Sequence, residues 1–118
     1  MLRILLVEDE ALIGLVASIA LEGAGYHVTL AMDGVEGLQI ARQDQPELII
    51  TDYMMPRMSG LDLIRELRRG GYMHPIILAT SIPEDGLPEQ PGYDAYINKP
   101  YGEAQLLAVV ASIVGGDA

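Results

Sequence analysis

The sequence predicts an α/β fold built on a parallel sheet, and three observations lead there. Short apolar runs recur along the chain, at Arg3–Val7, His27–Met32, Leu48–Thr51, Pro75–Thr80 and Ala95–Asn98. Stretches of helical periodicity separate most of them. The first run is apolar throughout rather than alternating, as expected of a strand covered on both faces, and strands alternating with helices build a parallel sheet.

Taken in order, Arg3-Ile4-Leu5-Leu6-Val7 is the first strand, and it ends at three acids, Glu8, Asp9 and Glu10. Ala11 to Glu22 has helical spacing, with Leu12, Val16, Ile19 and Ala20 on one face, and Gly23 and Gly25 end it. His27 to Met32 is the second strand. Asp33-Gly34 is a turn, and Val35 to Arg42 is a second helix with Leu38 and Ala41 facing inward. Pro46 precedes the third strand, Leu48 to Thr51, which stops at Asp52. After a loop holding Pro56 and Gly60, Leu61 to Arg69 is helical, with Leu61, Ile64 and Leu67 inward, until Gly70-Gly71 breaks it. Pro75 to Thr80 is the fourth strand and Ala95 to Asn98 a shorter fifth. Glu103 to Val114 forms the last helix, carrying Leu106, Leu107, Val110 and Ile113.

One segment breaks the rhythm. A parallel crossover is usually helical, yet Ser81 to Tyr93 contains Pro83, Pro88 and Pro91 together with Gly86 and Gly92. That composition opposes a long helix. The expectation is an irregular loop or at most one turn, with a short helix after Pro83 as the alternative.

Bulk properties narrow the function. The chain has 118 residues, half of them apolar, which suits a single domain spanning residues 1–118. It has no cysteine, so disulfides and thiolate metal sites are excluded, and a reducing cytoplasm fits. Seventeen acids against seven Lys and Arg give a net charge of −10. Such a surface repels phosphate backbones, so no direct nucleic-acid binding is expected, whereas cations and basic partners are attracted. The uncharged stretch Ala11 to Leu21 is far shorter than the roughly 20 residues a membrane span needs, so no membrane insertion is expected.

The chemistry collects where strands end. The first strand ends at Glu8-Asp9, the third at Asp52, the fourth at Thr80 and the fifth just before Lys99. Ligands of an open doubly wound sheet bind outside the carboxyl ends of its strands. Three carboxylates brought together repel one another, and an oxygen-seeking divalent cation removes the conflict. Mg²⁺ takes one or two carboxylates and keeps waters that a phosphoryl group can replace. With only oxygen ligands on offer, zinc or copper is disfavoured. Lys99 suits a phosphoryl oxygen as a point charge, a carboxylate can act as a nucleophile to form an aspartyl phosphate, and Thr80 can hydrogen-bond the bound group.

At these residues the sequence resembles the response-regulator receiver family of two-component signalling. The resemblance covers essentially the whole chain. It rests on Ile4-Leu5-Leu6-Val7-Glu8-Asp9, on Asp52-Tyr53-Met54-Met55-Pro56-Arg57-Met58-Ser59-Gly60, on Thr80 and on Lys99-Pro100, in that order. It implies a flavodoxin-like fold with strand order 2-1-3-4-5 and a fourth crossover helix that is here short or missing. It implies Asp52 as phosphoacceptor, with Glu8, Asp9, Asp52 and the Met54 backbone carbonyl as Mg²⁺ ligands. Thr80 and Lys99 are the implied switch residues, Tyr96 sits where the family often has an aromatic that turns inward, and the bond before Pro100 is often cis. The implied activity is phosphoryl acceptance from a histidine kinase or a histidine phosphotransfer protein, read by a downstream protein partner. Beyond self-phosphorylation and self-dephosphorylation no enzyme activity is implied.

Several features leave two readings open. The uncharged helix from Ala11 is either unusually buried or a docking face for the helices of a kinase or phosphotransfer protein. Tyr96 is fixed packing or a moving switch. Met54, Met55 and Met58 are packing or a soft patch for partners. Arg65, Arg68 and Arg69 are expected to be a solvated helix face, and His27 and His74 have no assigned role. Met54 and Ile82 lie two residues after Asp52 and Thr80, and two apolar side chains there cannot orient a water, so slow self-hydrolysis is expected. The rival classes are a receiver that works without phosphorylation and an aspartyl-intermediate phosphotransferase or phosphatase. An effector domain outside this sequence or a stand-alone receiver both fit.

Overall fold

The computed structural model describes residues 2–87 and 92–115. Five strands, β1 (Arg3–Val7), β2 (His27–Ala31), β3 (Leu48–Asp52), β4 (Ile76–Thr80) and β5 (Ala95–Asn98), form one parallel sheet in the order β2-β1-β3-β4-β5. Helices α1 (Ala11–Gly23), α2 (Gly34–Asp44), α3 (Gly60–Arg69) and α4 (Glu103–Gly115) cover it. The expected architecture and strand order are those observed, with element ends shifted by a residue or two, as is usual where helices fray.

The pleat sorts the core into two layers. Leu5, Val7, Ile49, Ile76 and Leu78 face α2 and α3, meeting Leu38, Ala41, Leu61, Ile64 and Leu67. Ile4, Leu6, Leu48, Ile50, Ile77 and Ile97 face α1 and α4, meeting Ala17, Leu21, Leu106 and Val110. The inward residues expected on α2 and α3 are therefore buried, and Leu106 and Val110 carry α4. Because both faces are covered, the middle strands β3 and β4 are buried at every position.

Helix α1 departs from expectation. Its buried residues are Gly14, Ala17, Ala20 and Leu21. Of the face expected from spacing only Ala20 turns inward; Leu12, Val16 and Ile19 are 72%, 60% and 61% exposed. A helix that is apolar nearly all round has no periodicity to mark its inner side. The face that turns inward carries Gly14, where a Cβ would lie 3.0 Å from Leu30 Cδ1, so a larger residue there would make that leucine give way.

The β4–β5 connection contains a single 3-10 turn, Glu84–Gly86, among its described residues, in line with at most one turn; Pro88 and Pro91 lie outside the described residues. Its end is fastened by Arg68, which corrects the expectation of a solvated basic group. Arg68 donates from Nε to the Gly92 carbonyl (3.0 Å), from Nη1 to the carbonyls of Tyr72 (2.7 Å) and His74 (3.0 Å), and from Nη2 to Asp94 Oδ2 (2.8 Å). Only Arg65 and Arg69 of that group are exposed. The fork of donors thus ties the end of this connection, at Gly92 and Asp94, to the loop between α3 and β4, at Tyr72 and His74.

Candidate functional site

The carboxyl ends of β1, β3, β4 and β5 bring the expected residues into one crevice. Glu8 follows β1 and is 2% exposed; Asp52 ends β3 at 7% and Thr80 ends β4 at 2%. Asp9 is half-buried beside them. Lys99 follows β5, and its bond to Pro100 is cis. Its Nζ lies 2.9 Å from Glu8 Oε1 and 3.3 Å from Asp52 Oδ2. No single stretch of sequence makes this cluster; the parallel register does, since β1, β3, β4 and β5 all end at the same edge.

Backbone donors complete it. Tyr53 N donates to Asp52 Oδ1 at 2.9 Å, and Glu10 N donates to Glu8 Oε2 at 3.2 Å. Thr80 Oγ1 accepts from Ile82 N at 3.2 Å, which leaves its O–H free to donate. Tyr96 donates its hydroxyl to the Ile82 carbonyl and accepts from Asn98 Nδ2 at 3.3 Å. Thr80 and Tyr96 thus grip the two sides of one residue, Ile82.

The electrostatics are those of an over-acidic crevice. Burial pushes the Asp52 carboxyl above its ordinary pKa, and Lys99 and the Tyr53 amide only partly offset it. Burial likewise raises Glu8; the hydrogen bond from Lys99 opposes the rise and the Asp52 charge adds to it. Burial pulls Lys99 down, but Glu8 and Asp52 outweigh it, so the ammonium is held above its ordinary value. One lysine for three acids leaves negative charge uncompensated. Ligand oxygens of Glu8, Asp9 and Asp52 lie within 4.8 Å of one another, with no nitrogen or sulfur donor among them. That donor set fits a hard divalent cation such as Mg²⁺.

The family model described as the response regulator receiver domain matches residues 4–111. The chain belongs to the response regulator receiver family. Among its relatives are the "uncharacterized transcriptional regulatory protein YkoG" of Bacillus subtilis, 40% identical over 90% of this chain and 48% of its own length, and the response regulator MprA of Mycobacterium leprae, 36% identical over 96% and 51%. The chain therefore spans about half the length of the curated relatives it matches. Among solved structures, the Vibrio cholerae chemotaxis protein CheY4 superposes with a TM-score of 0.89 at 28% identity, covering 97% of this chain and 99% of that one. The Thermotoga maritima response regulator TrrA, in complex with Mg(2+)-BeF, gives a TM-score of 0.88 at 29% identity, covering 97% and 100%. Receivers of this fold work by phosphorylation-activated signalling.

The Tyr53 amide escaped the sequence, since a backbone donor carries no side-chain signal. Gly60 closes the motif that carries the resemblance, but the reason for a glycine there is tertiary: a Cβ would stand 2.0 Å from the Asp52 carbonyl oxygen. Among the methionines, Met54 is exposed while Met55 and Met58 pack against the α2/α3 side of the core. His27 and His74 are exposed, and neither joins the acidic cluster.

Proposed function

We propose that residues 1–118 form one receiver unit in which Asp52 accepts a phosphoryl group. The observation that carries this is the cluster of Glu8, Asp9 and Asp52 oxygens within 4.8 Å beside the Lys99 ammonium. Glu8, Asp9, Asp52 and the Met54 backbone carbonyl hold Mg²⁺. When bound, the ion offsets the negative charge that develops on the transferred group. An Asp52 carboxylate oxygen attacks phosphorus as the bond from phosphorus to the donor breaks. The leaving group is the imidazole of a phosphohistidine, or acetate when acetyl phosphate is the donor. Lys99 balances the added charge, and the Thr80 hydroxyl donates to a phosphoryl oxygen. The similarity to TrrA, solved with Mg(2+)-BeF, supports the metal assignment.

The response runs through Ile82. Drawing Thr80 toward the phosphoryl group breaks its bond to the Ile82 amide. The connection after β4 then shifts, and an active population that pre-exists grows. Tyr96 follows because its hydroxyl is bonded to the same residue. Met54 and Ile82 present no group that can orient an attacking water, so the phosphoryl group is lost slowly. The chain turns over no external substrate; its chemistry is limited to its own phosphorylation and dephosphorylation. It acts in the cytoplasm, takes its phosphoryl group from a histidine kinase or histidine phosphotransfer protein, and passes the signal to a downstream protein partner. Among the described residues, no helix is long and apolar enough to cross a membrane.

Intact mass after incubation with Mg²⁺ and acetyl phosphate tests the assignment. A gain of one phosphoryl group, dependent on Mg²⁺ and absent in Asp52→Asn, is the expected result. No gain from acetyl phosphate or from any of a panel of phosphorylated kinases would leave a receiver that works without phosphorylation.

A further inference from the structure

The loop from Tyr53 to Ser59 runs from the end of β3 into α3 and carries the Met54 carbonyl. It is closed at its base, where Gly60 N donates to the Tyr53 carbonyl at 2.7 Å. At its far side Arg57 has φ +69°, in the left-handed region. Glycine would hold that conformation at no steric cost, so a side chain there calls for a compensating contact. The contact is present: the Arg57 guanidinium pairs with Asp33, the residue that caps α2 by accepting from Glu36 N at 2.9 Å. The next residue presses on the same helix end, since a Cβ on Gly34 would stand 2.6 Å from the Met58 carbonyl oxygen.

We infer that Arg57 is a positioning residue for the metal site: by pairing with Asp33 it ties the Tyr53–Ser59 loop to the start of α2 and holds the Met54 carbonyl in place. The inference rests on the reading that Mg²⁺ binds Glu8, Asp9, Asp52 and Met54. Arg57 touches none of the reacting groups. Its effect is on the conformational freedom that the loop must give up when the ion binds. The pair is partly exposed, so its influence is bounded by what surface ion pairs supply.

Mg²⁺ titration followed by tyrosine fluorescence, together with amide hydrogen exchange of Met54–Ser59 in the metal-free protein, tests this. Arg57→Ala weakens Mg²⁺ binding about threefold, with about fivefold as the ceiling for an exposed pair, and quickens exchange in the loop. Asp33→Asn, which keeps an acceptor for the α2 cap, does the same. Arg57→Lys restores most of the affinity. Arg57→Gly removes the side chain without backbone strain and still weakens binding. Wild-type affinity in Arg57→Gly would assign the effect of Arg57→Ala to strain and overturn the proposal. Variants indistinguishable from a wild type that binds Mg²⁺ would end this proposal alone, and a wild type that takes no Mg²⁺ would end the metal reading and this proposal with it.

Discussion

The ammonium of Lys99 stands nearer to Glu8 than to Asp52, 2.9 Å against 3.3 Å. Before any phosphoryl group arrives, the lysine is occupied by the acid of β1 as much as by the acceptor of β3. It therefore competes with a divalent cation for the same oxygens.

Lys99→Ala removes that competitor. Mg²⁺ affinity rises by on the order of tenfold, within the roughly 4 kcal/mol that a unit-charge pair at about 4 Å is worth at an effective dielectric near 20. The metal-free variant is less stable by about 3 kcal/mol, because two buried carboxylates lose their partner. Tyrosine fluorescence titrations and urea melts with and without Mg²⁺ check both halves. A lower Mg²⁺ affinity in the variant would contradict the competition.

The pH dependence follows from opposed groups. Glu8 and Asp52 are held above ordinary carboxylate values, chiefly by burial. An acid whose folded pKa exceeds its unfolded one weakens folding while ionised, and the loss is relieved as pH falls through the folded value. Asp33 and Glu47 run the other way. The Glu36 amide and then Arg57 hold Asp33 low, and the amide and guanidinium of Arg3 hold Glu47 low. Their stabilisation is present above the unfolded value of about 4 and is lost as pH falls through the lower folded one. Metal-free protein thus gains stability as pH falls from neutrality toward the ordinary carboxylate range, then loses it below. Saturating Mg²⁺ abolishes the gain. Urea midpoints across that range decide it, and a steady decline from neutrality downward would show that burial does not govern the pair.

Gly60→Ala puts a methyl group into the Asp52 carbonyl, 2.0 Å from its oxygen. Backbone cannot rotate away as a flexible side chain can. The variant loses more than about 2 kcal/mol of stability, and because the displaced peptide is that of the acceptor, Mg²⁺ binding weakens with it. Thermal melts and metal titration measure the two losses. Wild-type values in both would mean that the loop relaxes freely.

Exposure of the apolar face of α1 rules out the buried reading, and the expected outcome is that this face docks the phosphoryl donor. Leu12 and Leu15 are 72% and 52% exposed, and Ile13 lines a cavity of about 300 Å³ with Val16, Pro100 and Leu106. Substituting Ile13 and Leu15 by Glu slows transfer from a phosphorylated kinase by about tenfold or more, since a charge buried at an apolar contact is costly. Phosphorylation by acetyl phosphate keeps its wild-type rate. Equal slowing with both donors would place the damage in the crevice rather than at a docking face.

By itself the sequence determined the parallel sheet, its strand order through the family resemblance, and the gathering of Glu8, Asp9, Asp52, Thr80 and Lys99 at one edge of it. Apolar runs that end in charged or hydroxyl residues mark strand ends whatever the packing, and the carboxyl edge of such a sheet is one place. The proline- and glycine-rich stretch after Thr80 likewise opposed a helix by backbone sterics alone. Tertiary structure decided what depends on distance between remote segments. Helix α1 is apolar nearly all round, so periodicity could not mark its inner side, which packing against the sheet assigned to Gly14, Ala17, Ala20 and Leu21. Arg68 looked like its exposed neighbours Arg65 and Arg69 until the carbonyls of Tyr72, His74 and Gly92 converged on it. The tie between Arg57 and Asp33 has no signature along the chain, and although Gly60 closes a recognisable motif, its contact with the Asp52 carbonyl is a distance that only the packing of α3 on β3 sets.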